Sequence, residues 1–313
     1  MGKKLIAAVA GAGLAYAGIG YLVFYEALAR KARLPKYATQ SFDKKHGNAG
    51  PAKPDERVDW FHNQKLEEFN ISSTRGQKLC GWFLPADKPS NKFMICAHGY
   101  RSCGKGEFRF IAKFLHEQGI NLLLVDHQAL GESEGKYIAF GCHEAPDLLE
   151  WIDFMIDKFG SDIQISLYGI SMGSATVMML SNHKELPENV KFIVADCGYT
   201  TAMELFEHII SGFMIPPKPI LFAANQFCKF IGEWDIRDSN PIDCVKEAKV
   251  PMLFIHGEDD DFVPTFMGGQ LYNACTSEKD YICIPGAGHA ESYQKNSEPY
   301  EEKLLEFFAK YYK

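Results

Sequence analysis

A serine flanked at two residues' distance by glycines, set between a strand and a helix, constrains this chain more than any other feature. Gly169-Ile170-Ser171-Met172-Gly173 follows Ile163 to Tyr168, which reads as a buried strand, and precedes Ser174 to Leu180, which reads as a packed helix. Such a turn is tight enough that a side chain at either glycine would collide with neighbouring backbone. It lifts the serine above the edge of a sheet and turns the following amide toward any oxyanion formed there. The five residues alone are a common pattern, so their meaning rests on what surrounds them.

The surroundings have a definite order. Val250 to Ile255 reads as a second buried strand, followed by His256-Gly257-Glu258-Asp259-Asp260-Asp261-Phe262-Val263-Pro264. Tyr281 to Ile284 is a short strand, followed by Gly286-Ala287-Gly288-His289. Serine, then acid, then histidine is the chain order expected of the architecture in which such a serine turn occurs. A serine hydroxyl is a poor nucleophile until a base takes its proton. His289 is the candidate base, and a carboxylate on its other nitrogen fixes the tautomer and stabilises the imidazolium. Four acids, Glu258 to Asp261, stand where that carboxylate is needed, and one must face His289. Upstream, Phe93 to Ala97 runs into His98-Gly99-Tyr100, the expected source of a second oxyanion-binding amide.

On these residues the chain resembles the serine hydrolases of the α/β-hydrolase superfamily, and within it the bacterial, esterase-like branch with a small cap. The resemblance runs from about Trp60 to the C-terminus and is carried by His98-Gly99-Tyr100, Gly169 to Gly173, Asp260 to Pro264 and Gly286 to His289. It implies Ser171 as nucleophile, Asp260 as acid because it stands three residues before Val263-Pro264, and His289 as base. It also implies the backbone amides of Tyr100 and Met172 as the oxyanion hole. Asp259 and Asp261 are then left to solvent or to capping the next helix. One turn departs from the family pattern. Asp126-His127-Gln128-Ala129-Leu130-Gly131-Glu132-Ser133 keeps Asp126, Gly131 and Ser133, but has Gln128-Ala129 where relatives carry Arg-Gly.

Strands are predicted at 92–97, 120–125, 163–168, 191–195, 250–255 and 280–284, after a hairpin at 67–73 and 78–84. Helices are predicted at 107–118, 143–159, 172–182, 265–275 and 297–311. The alternation predicts an α/β-hydrolase fold: a mostly parallel central sheet, helices on both faces and a short helical cap. The cap is placed at about 199–243. There a single crossover helix is replaced by a long stretch rich in Phe, Ile and Trp and broken by Pro216-Pro217-Lys218-Pro219. Phe213 and Phe222 are candidate lining residues of an acyl or aryl pocket.

At the other end, Leu5 to Tyr25 is uncharged, is preceded by Lys3-Lys4 and is followed by Arg30, Lys31 and Arg33. Its length suits a bilayer-spanning helix. Residues 1–34 are thus predicted to be a single-pass membrane anchor, the competing reading being a cleaved signal peptide followed by secretion. Residues 35–59 read as a linker and 60–313 as the hydrolase domain. No candidate of the site lies before Trp60, so the domain is expected to function without what precedes it. Nine cysteines without a C-x-x-C pair read as thiols in a reducing compartment, which places the domain on the cytoplasmic side.

The net charge is −7, and Lys3, Lys4, Arg30, Lys31, Arg33 and Lys36 concentrate positive charge at the start, leaving the rest acidic. An acidic body without a basic stripe argues against nucleic acid as a partner. No cluster has zinc-ligand spacing, so neither a metal nor an organic cofactor is expected. The sequence therefore predicts hydrolysis of carboxylic esters in small acyl substrates, through an acyl-enzyme. A thioesterase or fatty-acyl deacylase is the nearest alternative, followed by a peptidase and by a silent scaffold; oligomeric state is left open.

Overall fold

The computed structural model describes residues 16–30, 55–214 and 216–313. Its framework is one sheet of β1 Glu67–Ser72, β2 Lys78–Leu84, β3 Lys92–Ala97, β4 Asn121–Val125, β5 Gln164–Ile170, β6 Val190–Asp196, β7 Met252–Gly257 and β8 Lys279–Ile284. The strand order is β1-β2-β4-β3-β5-β6-β7-β8. β1 and β2 pair antiparallel, as do β2 and β4, and every other pairing is parallel.

Among the described residues, the helices given names here are α1 Glu56–His62, α2 Gly104–Phe108, α3 Ala112–Glu117, α4 Glu144–Phe159, α5 Met172–Leu180, α6 Ala202–Ser211, α7 Pro217–Phe227, α8 Pro241–Val245, α9 Thr265–Ala274, α10 Ser292–Lys295 and α11 Ser297–Tyr311. A π turn, Cys228–Gly232, extends α7. Two departures from the sequence reading are local. α1 straddles the predicted boundary between linker and domain, started by Asp55, whose side chain accepts from the Arg57 amide. The single helix predicted over 107–118 is two pieces, α2 and α3. The rest of the predicted linker, 35–54, lies outside the described residues.

Both faces of the central strands are covered, which is why they read as near-continuous apolar runs. Met94, Cys96, Leu122 and Leu124 enter the cluster under α3 and α11. Phe93, Ile95, Leu123 and Val125 enter the opposite cluster, with Trp151 and Ile152 of α4 and Val177 of α5. A third cluster lies between the sheet and the cap region, where Met172 and Tyr199 meet Leu205, Ala224, Trp234 and Ile236.

The departing turn after β4 keeps its fastening. Asp126 accepts from the Gly104 amide at 2.7 Å and the Glu132 amide at 3.0 Å, and the Ser133 hydroxyl donates to the Asp126 carbonyl at 2.6 Å. Ala129, in the place of a glycine, is held at φ 60°, a left-handed conformation that costs a non-glycine residue about 1–2 kcal/mol. Gln128 sits against the Arg75 guanidinium, which arrives from the β1–β2 hairpin and also bonds Asp147.

The membrane anchor is corrected by the structure, and with it the membrane-bound location. Among the described residues no helix is long and apolar enough to cross a membrane. Residues 16–28 are helical, and one side of that helix packs on the protein, while Tyr16, Ile19, Tyr21 and Leu22 stay exposed. Phe24 is 1% exposed and Leu28 is buried beside it in the third cluster. The Phe24 ring lies 5.0 Å from Tyr137, 6.2 Å from Phe227 and 6.3 Å from Trp234. Gly20 packs so closely that a Cβ there would lie 2.4 Å from the Ala223 Cβ. Residues 1–15 of the predicted span lie outside the described residues.

Candidate active site

The site is assembled by strand register. Ala97 of β3 is level with Gly169 of β5, Ile170 with Asp196 of β6, Asp196 with Ile255 of β7, and Gly257 with Ile284 of β8. The loops leaving these carboxyl ends therefore open at one height, as expected where a parallel sheet presents a site. They carry Tyr100, Ser171, Asp260 and His289.

Ser171 sits at φ 56° and ψ −114° immediately before α5. This sparsely populated conformation persists only where the surroundings enforce it. Here they do. A Cβ on Gly169 would lie 2.1 Å from the Gly173 carbonyl oxygen, and one on Gly173 would lie 1.9 Å from that of Ala97. The two glycines are steric requirements of the turn.

His289 lies between the other two candidates. Its Nε2 is 2.8 Å from the Ser171 hydroxyl and its Nδ1 is 2.7 Å from Asp260 Oδ2. With Nδ1–H donating to the carboxylate, the Nε2 lone pair faces the serine hydroxyl. Of the four adjacent acids only Asp260 is buried; Glu258, Asp259 and Asp261 are exposed. Its second oxygen accepts from the amides of Phe262 at 3.1 Å and Val263 at 2.9 Å. Burial alone would push this carboxyl up. The hydrogen bonds and charges of His256 and His289 outweigh that and hold it well below the ordinary range. No side-chain cap is supplied to α9, whose first position follows Pro264.

The two proposed amides come from the residue after the serine and from the loop after β3. Met172 opens α5, so its N–H has no acceptor within the helix. Tyr100 follows Gly99, whose backbone lies against the Ser171 side chain. His98 donates through Nδ1 to the Gly99 carbonyl at 2.7 Å and accepts from the His127 amide at 3.1 Å. Burial pushes its pKa down, which matches this neutral arrangement.

Phe213 and Phe222 are not brought to the serine. Each is 70% exposed, and Phe222 lines an outer groove of about 460 Å³ with Tyr16, Pro219, Ala223 and Phe227. Phe262 and Phe140, which sequence reasoning did not single out, stand nearer the proposed site residues. Phe262 stands 4.8 Å from the His289 ring. Phe140 lies 5.3 Å from Tyr100 and 4.8 Å from Phe206 of α6. Phe262 stands two residues after the predicted acid, which was a usable signal. Phe140 opens a turn with no pattern to mark it.

Among the described residues one group has metal-ligand proximity: Cys197, Asp260 and His289, with ligand atoms within 4.8 Å. Its histidine and carboxylate already bond one another, and burial holds the Cys197 thiol well above its ordinary pKa. That disfavours the thiolate a metal would need.

Comparison with known proteins agrees with this framework. The sequence profile of the prolyl oligopeptidase family matches residues 107–313. The protein YqkD of Bacillus subtilis is 28% identical over 79% of this chain and 80% of its own length. The α/β-hydrolase domain-containing protein WAV2 of Arabidopsis thaliana is 23% identical over 80% of each. Among solved structures, an esterase of Pyrococcus furiosus superposes with a TM-score of 0.65 at 22% identity, covering 84% of this chain and 95% of that one. The acylaminoacyl peptidase of Pyrococcus horikoshii superposes at 0.61 and 16% identity, but only 45% of its chain is covered.

Proposed function

Because the chain belongs to the prolyl oligopeptidase family, a family of serine hydrolases, we propose that it cleaves carboxylic esters through an acyl-enzyme formed on Ser171. The observation that carries this reading is the position of His289, bonded to the Ser171 hydroxyl on one side and to Asp260 on the other. In the first half-reaction the Ser171 oxygen attacks the acyl carbon while its proton passes to His289 Nε2. The imidazolium is stabilised by Asp260, whose lowered pKa keeps it ionised. The amides of Tyr100 and Met172 receive the developing oxyanion. Collapse of the tetrahedral species expels the alcohol, which takes the proton from His289. Water then repeats the sequence on the acyl-enzyme and releases the acid.

Peptide cleavage is the second reading, favoured by the family description itself. It uses the same residues but needs a nitrogen leaving group to be protonated before it departs. Labelling with a fluorophosphonate, followed by parallel assays on p-nitrophenyl esters of graded length and aminoacyl p-nitroanilides, tests both. Specific modification of Ser171 with ester turnover supports the proposal. Anilide turnover exceeding ester turnover would replace the first reading with the second, and an unlabelled Ser171 in folded protein would remove both.

A further inference from the structure

The loop that carries Tyr100 is fastened from outside the hydrolase domain. The Tyr100 hydroxyl donates to the Ala27 carbonyl at 2.5 Å. The Arg101 guanidinium donates to the Tyr100 hydroxyl oxygen at 2.8 Å, to the Glu26 carbonyl at 2.8 Å and to the Ala29 carbonyl at 3.4 Å. These three carbonyls belong to the last turn of the helix at 16–28 and the residue after it, where a helix leaves acceptors unsatisfied and favours a cation. Burial pushes the Tyr100 phenol up, so it stays a donor.

The same helix end is held from its other side. Ala29 bridges Tyr137, the Arg30 amide donates to the Lys136 carbonyl at 2.9 Å, and the Ile138 amide donates to that of Leu28 at 2.7 Å. Arg30 also reaches the Gly131 carbonyl at 2.9 Å. Further along, Phe24 and Gly20 pack on α7 and its extension. One short helix thus touches the cap region, the turn after β4 and the Tyr100 loop together.

Resting on the hydrolase reading above, we infer that residues 16–30 hold the oxyanion-binding amide of Tyr100 in place, with the Tyr100 side chain and Arg101 acting as positioning residues. Arg101 itself sits at φ 55°, a conformation its contacts with the Glu26 and Ala29 carbonyls help to keep. Neither side chain is required to touch substrate. Their effect reaches the reaction through the backbone, at the point where negative charge develops.

The test uses the full-length chain. Tyr100→Phe keeps the ring and removes the bond to Ala27. It is expected to lower kcat on a short p-nitrophenyl ester about tenfold to a hundredfold, as slight misplacement of a catalytic group does, with KM changed less than about threefold. A boronic acid, which mimics the tetrahedral adduct, should lose affinity by a similar factor, while a carboxylate product analogue should not. Phe24→Ala should reproduce part of the kcat loss and be non-additive with Tyr100→Phe in a double-mutant cycle. Should Tyr100→Phe fail to fold, Arg101→Gln reads the same contact. Wild-type kcat in folded Tyr100→Phe or Arg101→Gln, or additive losses in the cycle, would overturn the inference and leave the hydrolase reading intact. A wild-type protein that neither turns over esters nor labels at Ser171 overturns both.

Discussion

Ser171, His289 and Asp260 act as a unit in the proposed reaction, and their substitutions should show it. Ser171→Ala and His289→Ala should each remove nearly all ester turnover, and the double variant should lose little more. Asp260→Asn should lower kcat by about three to four orders of magnitude, because the imidazole loses its tautomer support. Asp259→Asn and Asp261→Asn, both at exposed positions, should change kcat by less than about threefold, and a crippled Asp259→Asn would move the acid one residue back. A second buried carboxyl gives a prediction on stability. Asp196 is pushed up to about 6 by burial, which outweighs the Tyr300 hydroxyl donating to it; His256, His289 and Asp260 also act on it. In the unfolded chain it titrates near 4. Between those values the unfolded state ionises first, so folding stability falls as pH rises from about 4 to 6 and stays lowered above, by about 3 kcal/mol. Asp196→Asn should flatten that part of the Tm-against-pH curve, and an unchanged slope would exclude this carboxyl as its source.

At the level of elements, the turn between β5 and α5 has no slack. Gly173→Ala must drive a methyl group into the Ala97 carbonyl and should cost at least about 3 kcal/mol, read as a lowered denaturation midpoint. A Gly173→Ala protein as stable as wild type would mean that β3 and α5 are further apart than described. That turn was legible in the sequence because its demands are local: two glycines and a serine within five residues. The strands were legible for a related reason, since burial on both faces writes itself as unbroken apolar runs. The pocket was not. A phenylalanine in the cap region declares that it avoids water, not which way it points. Phe213 and Phe222 are exposed, while Phe140 packs on the Tyr100 ring and Phe206 on Phe140. The N-terminal helix was misread for the same reason. Hydropathy registers an apolar surrounding and cannot tell lipid from Trp234, Phe227 and Tyr137.

For the whole molecule, the helix at 16–28 changes what the expected independence of residues 60–313 means. Deleting residues 1–30 would leave the sockets of Phe24 and Leu28 open, each forfeiting about 1.5–3 kcal/mol of apolar burial. Such a chain should melt lower than full-length protein and turn over esters more slowly, in contrast to the sequence reading. Equal melting temperatures and rates would restore that reading. The packing of this helix has a further consequence for how the molecule breathes. A segment joined to α7 by rings and to the Tyr100 loop by carbonyls is expected to open together with them. Backbone amides of residues 20–28 and of α7 should therefore exchange with deuterium at matched rates, as one cooperative unit. A mutation loosening either should raise exchange in both. Any motion of α7 that admits a substrate would then also disturb the oxyanion loop, so that the molecule is least able to react at the moment it is most open.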